Sequence, residues 1–275
     1  MPDNFFKNPI FLEHCQMNVL LTNDDGIDSP SLRSLYAELK KRGHEVCAIA
    51  PLAQHSGASH AVTVFKPIQA RKIKEDGFEG TGIQGTPADC VKLGLGQVCP
   101  FVPDLVISGI NQGPNAGPDI CYSGTVAAAA EAAQHGVPAM ALSHMNHLLP
   151  EDLDKVSRHA IDLAESISWK DLPKNRVINI NYPDLPLVKA GEIRICRRSL
   201  TPWPNEYSER KDPRGQPYWW FASTLDPEDF EEDSDRRLLA EGHITITPLQ
   251  FEMRDDEGHA ALEEMNLQAK IRKSR

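Results

Sequence analysis

At 275 residues, 40% apolar and 25% charged, the chain has room for one large domain or for a domain with a smaller one attached. Its 39 acidic side chains against 29 Lys and Arg give a formal net charge of −10. That balance offers no general attraction to polyphosphate backbones and excludes long nucleic acid as the main partner. Apolar runs stop at about five residues where a bilayer crossing needs roughly 20, so no membrane span is expected.

Residues 1–16 mix Asp3, Asn4, Lys7, Glu13 and His14 with scattered aromatics, without the basic start and apolar block of a secretory leader. The first convincing element is a doubly buried strand from Met17 to Thr22, which runs into the turn residues Asn23, Asp24, Asp25 and Gly26. Ser29 and Pro30 predict an N-cap and first helical position. Leu32, Leu35, Tyr36 and Leu39 then recur at helical spacing until Gly43. Glu45 to Ala50 is the next buried strand, ended by Pro51, and the three elements have the pattern of a parallel crossover.

The theme returns with a strand from Asp104 to Ser108 and a loop rich in Gly, Asn and Pro over 109–123. A strong helix former follows from Thr125 to His135, and Gly136 ends it. Pro138–Ser143 and Arg176–Asn181 read as buried strands, separated by a helix over about 153–168. Alternation of this kind predicts an α/β fold, a Rossmann-like open, mostly parallel sheet with helices on both faces. After Asp184 the pattern changes. Residues 191–196 and 242–248 alternate polar and apolar side chains, and the aromatic block Tyr218, Trp219, Trp220 and Phe221 stands in a polar, proline-bearing stretch. This predicts a smaller C-terminal antiparallel β-rich region with a terminal helix over 258–275. The six cysteines contain no C-x-x-C pair, which reads as free thiols in a reducing cytoplasm.

Ligands of an open α/β sheet collect beyond the carboxyl ends of the parallel strands. Three polar loops fall there: Asn23-Asp24-Asp25-Gly26, His55-Ser56-Gly57-Ala58-Ser59, and the run from Ser108 through Asn111 and Asn115 to Tyr122-Ser123-Gly124-Thr125. Adjacent carboxylates at a strand end repel unless a cation compensates them, and no Lys or Arg stands close in sequence. A hard divalent ion with oxygen ligands is the natural compensator. Asp-Asp-Gly is also an ordinary tight turn, and Ser123 an ordinary N-cap, so these readings stand beside the functional ones. The helix start at Ser123 offers unpaired amides and a positive dipole end to an anion. His144 and His147 have metal-like spacing but read better as a solvated loop pair. His55 and His60, flanking the second loop, read better as ordinary loop residues than as phosphate ligands. No G-x-S-x-G, lysine-bearing phosphate loop or G-x-G-x-x-G occurs, which weakens hydrolase-triad, NTPase and dinucleotide readings.

Five blocks then stand in order: 19–27 (Val-Leu-Leu-Thr-Asn-Asp-Asp-Gly-Ile), Ala50-Pro51 with Ser56–Ser59, Gly85–Cys90, Pro103–Asn115, and Tyr122–Ala129. Together they resemble the SurE family, the survival-protein-E nucleotidases, closely over 17–143 and more loosely to Pro248. The resemblance implies a metal-dependent phosphomonoesterase that hydrolyses nucleoside 5′- or 3′-monophosphates. It implies one divalent cation per subunit, Mg²⁺ or Mn²⁺, on Asp24, Asp25, Ser56 and Asn111, with Asp24 or Asp25 as the base. Asn23, Asn115, Ser123, Gly124 and Thr125 would surround the phosphate. It also implies a Rossmann-like catalytic core over 17–184 and an oligomerisation region over 185–275, giving a homodimer or homotetramer. Four consecutive aromatics, which place rings on both faces of a strand, point to the same region as a subunit contact. Residues 1–16 are extra to the family, and Asp235 follows Ser234 where the family often has Thr. A covalent aspartyl-phosphate phosphatase, which usually has D-x-D spacing, and a non-catalytic nucleotide-binding regulator are the rival readings.

Overall fold

The computed structural model describes residues 16–265. The extension over 1–16 therefore falls almost wholly outside the described residues, as does the end of the expected terminal helix.

Strand β1 (Asn18–Thr22) has four successive buried residues and sits in mid-sheet, as an apolar run without alternation requires. Helix α1 (Pro30–Lys41) buries Leu32, Leu35, Tyr36 and Leu39 and leads to β2 (Glu45–Pro51), parallel to β1. Ser29 occupies the N-cap position, but its hydroxyl lies 2.8 Å from that of Ser31 and makes no capping bond to a helix amide.

The segment between β2 and the next expected strand holds three elements without a sequence expectation. They are β3 (Ala70–Glu75), β4 (Phe78–Ile83) and the seven-residue α2 (Pro87–Leu93). Helix α2 is fixed by a reciprocal capping box in which Thr86 caps the Asp89 amide and Asp89 accepts from the Thr86 amide.

Strand β5 (Leu105–Gln112) runs four residues past the Ser108 end expected for it. A register shift between Ser108 and Asn111 lets it pair with β6 (Ala139–His144) on both sides of the irregularity. Gly109 makes the shift sterically feasible: its φ is +138°, and a Cβ there would lie 2.4 Å from the Leu142 carbonyl oxygen. Helix α3 (Gly124–Gln134) links β5 to β6, and α4 (Pro150–Ser166) links β6 to β7 (Arg176–Tyr182).

Beyond residue 184 come β8 (Ile193–Ile195), β9 (Tyr207–Lys211), β10 (Pro217–Phe221), α5 (Asp235–Ala240), β11 (Ile244–Gln250) and α6 (Asp256–Glu264). The expected antiparallel region is present as the separate β9–β10 hairpin. The alternating segments β8 and β11, by contrast, extend the main sheet: β11 pairs antiparallel with β7, and β8 parallel with β11. The sheet order is β3-β4-β2-β1-β5-β6-β7-β11-β8. From β1 the chain first winds outward through β2, then returns to β5 on the other side of β1. The strand order thus reverses at the β1–β5 junction, where ligands of such sheets bind. One core lies between the sheet and α1 with α4, the other between the sheet and α2 with α3.

Candidate functional site

The carboxyl ends of β1 and β5 open onto a cleft lined by Asp24, Ser56, Asn111, Asn115, Tyr122 and Ser123. Asn23 shapes its floor. The side chain donates to the Gly26 carbonyl and accepts from the Gly26 amide, both at 3.1 Å, closing the turn that presents Asp24 and Asp25.

Asp24 is buried against the start of α3, where the Thr125 hydroxyl donates to Oδ1 and the Thr125 amide also bonds the carboxylate. The contact needs glycine at the first helical position: a Cβ on Gly124 would lie 2.8 Å from the Asp24 Cβ. Burial nevertheless raises the Asp24 pKa above the usual carboxylate value, the Thr125 bond only partly offsetting it. Asp25 is pushed up to about 6, first by burial and then by the charge of Asp24. Its Oδ2 is buried with no hydrogen-bond partner. Among the described residues neither aspartate forms an ion pair with Lys, Arg or His.

The second loop reaches this pair through a residue that sequence reasoning missed. Gln54 Nε2 donates to Ser56 Oγ at 2.9 Å and to Asp25 Oδ1 at 3.4 Å, joining the two loops. Nothing in a glutamine two positions before Ser56 announces this role. His55 anchors the loop by donating its backbone amide to the Asp24 carbonyl at 2.8 Å. His60, 2.7 Å from Glu131 Oε2, is committed to an ion-pair cluster on α3.

On β5, Asn111 Nδ2 donates to the Gly113 carbonyl at 2.8 Å, leaving its carbonyl oxygen as the side-chain atom available to the cleft. Asn115 is held from every side. Its amide donates to Asn181 Oδ1, its carbonyl accepts from Asn179 and Asn181, and its Nδ2 donates to Ser143 Oγ. Asn179 and Asn181 were also missed. The signal for them was present, since two asparagines at alternate positions of the otherwise apolar β7 need buried partners. Ser123 is the N-cap of α3, accepting from the Val126 amide at 3.1 Å, and lines the cleft.

The C-terminal half completes one wall. Asp119, also at the cleft, accepts from Trp203 Nε1 at 2.5 Å and from Arg236 Nη2 at 2.9 Å. Asp235 is fully buried and accepts backbone amides of Gly117, Ser199 and Arg236. It supports the 117–123 segment from behind. His144 is buried and bonded to Asn146, whereas His147 is exposed and lies close enough for its charge to act on Asp25.

The donor set suits a hard cation. Two carboxylates, a hydroxyl and an amide carbonyl are all oxygen ligands, and the unpartnered Asp25 Oδ2 is the kind of atom a cation satisfies. Among the described residues no group of three or more His, Cys, Asp or Glu forms a metal cluster, so further ligands here would be neutral oxygens. No helix among them is long and apolar enough to cross a membrane.

Residues 19–205 match the family model described as survival protein SurE. A protein of Desulfovibrio desulfuricans named 5′-nucleotidase SurE is 52% identical over 92% of this chain and 100% of its own length. The protein of the same name from Lawsonia intracellularis is 42% identical over 86% of this chain and 94% of its own. The crystal structure of the SurE protein from Aquifex aeolicus superposes with a TM-score of 0.77 at 32% identity, covering 90% of this chain and 99% of that one.

Proposed function

The chain belongs to the survival protein SurE family, and from that premise we propose that its β1–β5 cleft hydrolyses nucleoside monophosphates with a divalent cation on Asp24, Asp25, Ser56 and Asn111. The enzyme class is 5′-nucleotidase. One observation carries the site assignment: the buried Asp24 and half-buried Asp25 stand side by side at the topological switch point, in no ion pair among the described residues and with the buried Asp25 Oδ2 unpartnered.

When bound, Mg²⁺ or Mn²⁺ supplies charge neutralisation and Lewis-acid polarisation at the phosphate. The remaining work falls to the chain. Thr125 fixes Asp24 from the helix start, so Asp24 serves as a rigid anionic ligand. Asp25 Oδ2, buried and without a hydrogen-bond partner, would be a ligand oxygen for the cation, and Asp24 or Asp25 would accept the proton of an attacking water. Ser56 and Asn111 would add oxygens without charge, so that the cation's charge is not over-neutralised before the phosphate arrives. Ser123 and Asn115 line the cleft beside the positive end of α3 and would orient the phosphate oxygens. Asn23, Gly124 and Thr125 act one step back: Asn23 closes the turn, Gly124 admits Asp24, and Thr125 bonds it.

We place the catalytic core within 17–184 and the homo-oligomer contact, dimer or tetramer, on the β9–β10 hairpin. Tyr207, Tyr218, Trp219, Trp220 and Phe221 are all exposed there, an aromatic surface of the kind that anchors subunit interfaces. Light scattering at micromolar concentration tests it, and a species that stays at 30.5 kDa on concentration defeats it. A cytoplasmic location fits the free cysteines.

The decisive experiment is phosphate release across nucleoside monophosphates with Mg²⁺, Mn²⁺ or a chelator. Chelation abolishes release and either metal restores it. Full turnover after exhaustive chelation overturns the cation assignment.

A further inference from the structure

His144, the last residue of β6, does not line the cleft, yet it is only 5% exposed and keeps one ring nitrogen free. Among the described residues it is hydrogen-bonded at Nδ1 alone, which lies 3.1 Å from the Asn146 amide and 2.9 Å from the Asn146 carbonyl. Buried polar side chains ordinarily satisfy their hydrogen-bonding atoms, so a free Nε2 calls for a partner. His144 lines a recess of about 110 Å³ on the α1–α4 side of the sheet, between the starts of those two helices. Pro30, Ile110, Leu148 and Leu153 give the recess apolar walls. Gln112 adds a second polar group; it is the register partner of His144 on β5, so the two side chains share one face of the sheet. Asn111 and Gln112 line both this recess and the cleft, so the end of β5 is the boundary that the two spaces share.

What the recess admits follows from its lining. No Lys, Arg, Asp or Glu contributes to it. Helices α1 and α4 both begin there, but each starts with a proline, Pro30 and Pro150, which removes the first amide hydrogen that a helix start offers an anion. Burial holds His144 below the usual histidine range, so its ring is uncharged at neutral pH. A phosphate finds no counter-charge here. A flat, uncharged heterocycle with hydrogen-bonding atoms on its rim matches both the apolar walls and the two polar groups.

We propose that this recess is the subsite for the base of the nucleoside monophosphate, with His144 Nε2 and the Gln112 amide hydrogen-bonding the rim of the ring. The phosphate stays in the cleft, and the sugar spans the boundary at Asn111 and Gln112. This assignment rests on the reading of the cleft as a monophosphate site. His144 is then a specificity-determining residue: it distinguishes a nucleotide from a phosphate ester without a base, and it takes no part in the phosphate chemistry.

The test compares the best of the four common nucleoside 5′-monophosphates with ribose 5-phosphate, which keeps sugar and phosphate but lacks the base. It is run on the full chain as wild type, His144→Leu and Leu148→Trp. The readout is the ratio of the two kcat/KM values within each protein, from which any loss of folded enzyme cancels. Wild type should favour the nucleotide. The ratio should fall roughly fivefold in His144→Leu, which loses one neutral hydrogen bond, and roughly tenfold in Leu148→Trp, whose indole fills the recess. The free nucleoside, followed by saturation-transfer NMR without turnover, should bind wild type and lose its signal in Leu148→Trp. A wild-type ratio near one, or a ratio that neither variant moves, overturns the proposal and leaves the hydrolase reading intact. If no monophosphate releases phosphate while the nucleoside still binds wild type and not Leu148→Trp, the hydrolase reading falls and the recess stands as a nucleoside site.

Discussion

The two ends of helix α3 hold buried carboxylates in opposite electrostatic situations. At its N-terminus Asp24, with Asp25 beside it, forms no ion pair among the described residues, and both are raised above their usual range. Near its C-terminus Glu131 is almost as buried but is surrounded: His60 lies at 2.7 Å, Lys92 at 3.0 Å and His135 at 3.4 Å. Burial alone would push Glu131 up, yet the bonds to His60 and Lys92 hold it down to about 2. The helix dipole makes the contrast sharper, since it favours a carboxylate at the first end and disfavours one at the second. A buried carboxylate supplied with counter-charge is architecture. One from which the chain withholds counter-charge is a site for something brought from outside.

Four measurements bear on this comparison. The largest effect is expected from Asp24→Asn or Asp25→Asn, which should lower phosphate release by roughly 10³-fold through loss of an anionic ligand or the base. Asp28→Asn is the control. Asp28 is exposed and bonded to Arg33, and it should stay within about twofold, as surface positions do. Near-normal turnover in both cleft variants would reduce Asp24 and Asp25 to a turn.

Gly124→Ala should come next, lowering turnover by roughly 10-fold or more because the added methyl displaces Asp24. Alanine favours the helix, so the melting temperature should not fall in step. A variant that loses stability and activity together would mean that the methyl disturbs α3 itself rather than the carboxylate.

Glu131→Gln should leave turnover within about tenfold but cost about 1 kcal/mol in urea unfolding, since the buried carboxylate loses its ion pairs while His60 and Lys92, both partly exposed, turn to solvent. In metal-free protein at pH 7, Asp25→Asn should act with the opposite sign and raise the urea midpoint. The raised carboxyl makes ionised Asp25 a cost above about pH 6, and the amide removes it. Two shifts of the same sign would dissolve the distinction between the helix ends.

The smallest effect is a pH slope. Glu131 has a folded pKa depressed from 4.5 to about 2, so its contribution is complete above about pH 4.5 and is lost as pH falls toward 2. Wild type should therefore lose stability more steeply than Glu131→Gln over that window. Superimposable acid limbs, measured by urea midpoint at each pH, would mean that His60 and Lys92 do not stabilise the carboxylate.

Much of the frame was legible because its signals are local. β1, α1, β2, α3, β6, α4 and β7 all carry unbroken apolar runs or helical spacing of sufficient length. β3 carried none: five of its six residues are exposed, and Lys72 and Lys74 alternate with no apolar face to mark an edge strand. β4 has glycine at positions 80 and 82, which weakens any strand signal, and α2 is too short for periodicity to show. β5 was ended early at Ser108 because Gly109 reads as a breaker, whereas the sheet uses it to pass a register shift and aim Asn111 at the cleft. The aromatic block was legible as a surface, and the hairpin places it there.

By itself the sequence determined the succession of β1, α1, β2, α3, β6, α4 and β7, the polar loops at strand ends, and the adjacency of Asp24 and Asp25, because propensity, periodicity and turn chemistry act over a few residues. Tertiary structure decided which carboxylate would be compensated. Thr125 reaches Asp24 across 101 positions, and His60 and Lys92 reach Glu131 across 71 and 39. Coulomb energy and desolvation depend on distance and burial in three dimensions, and neither is written in local spacing.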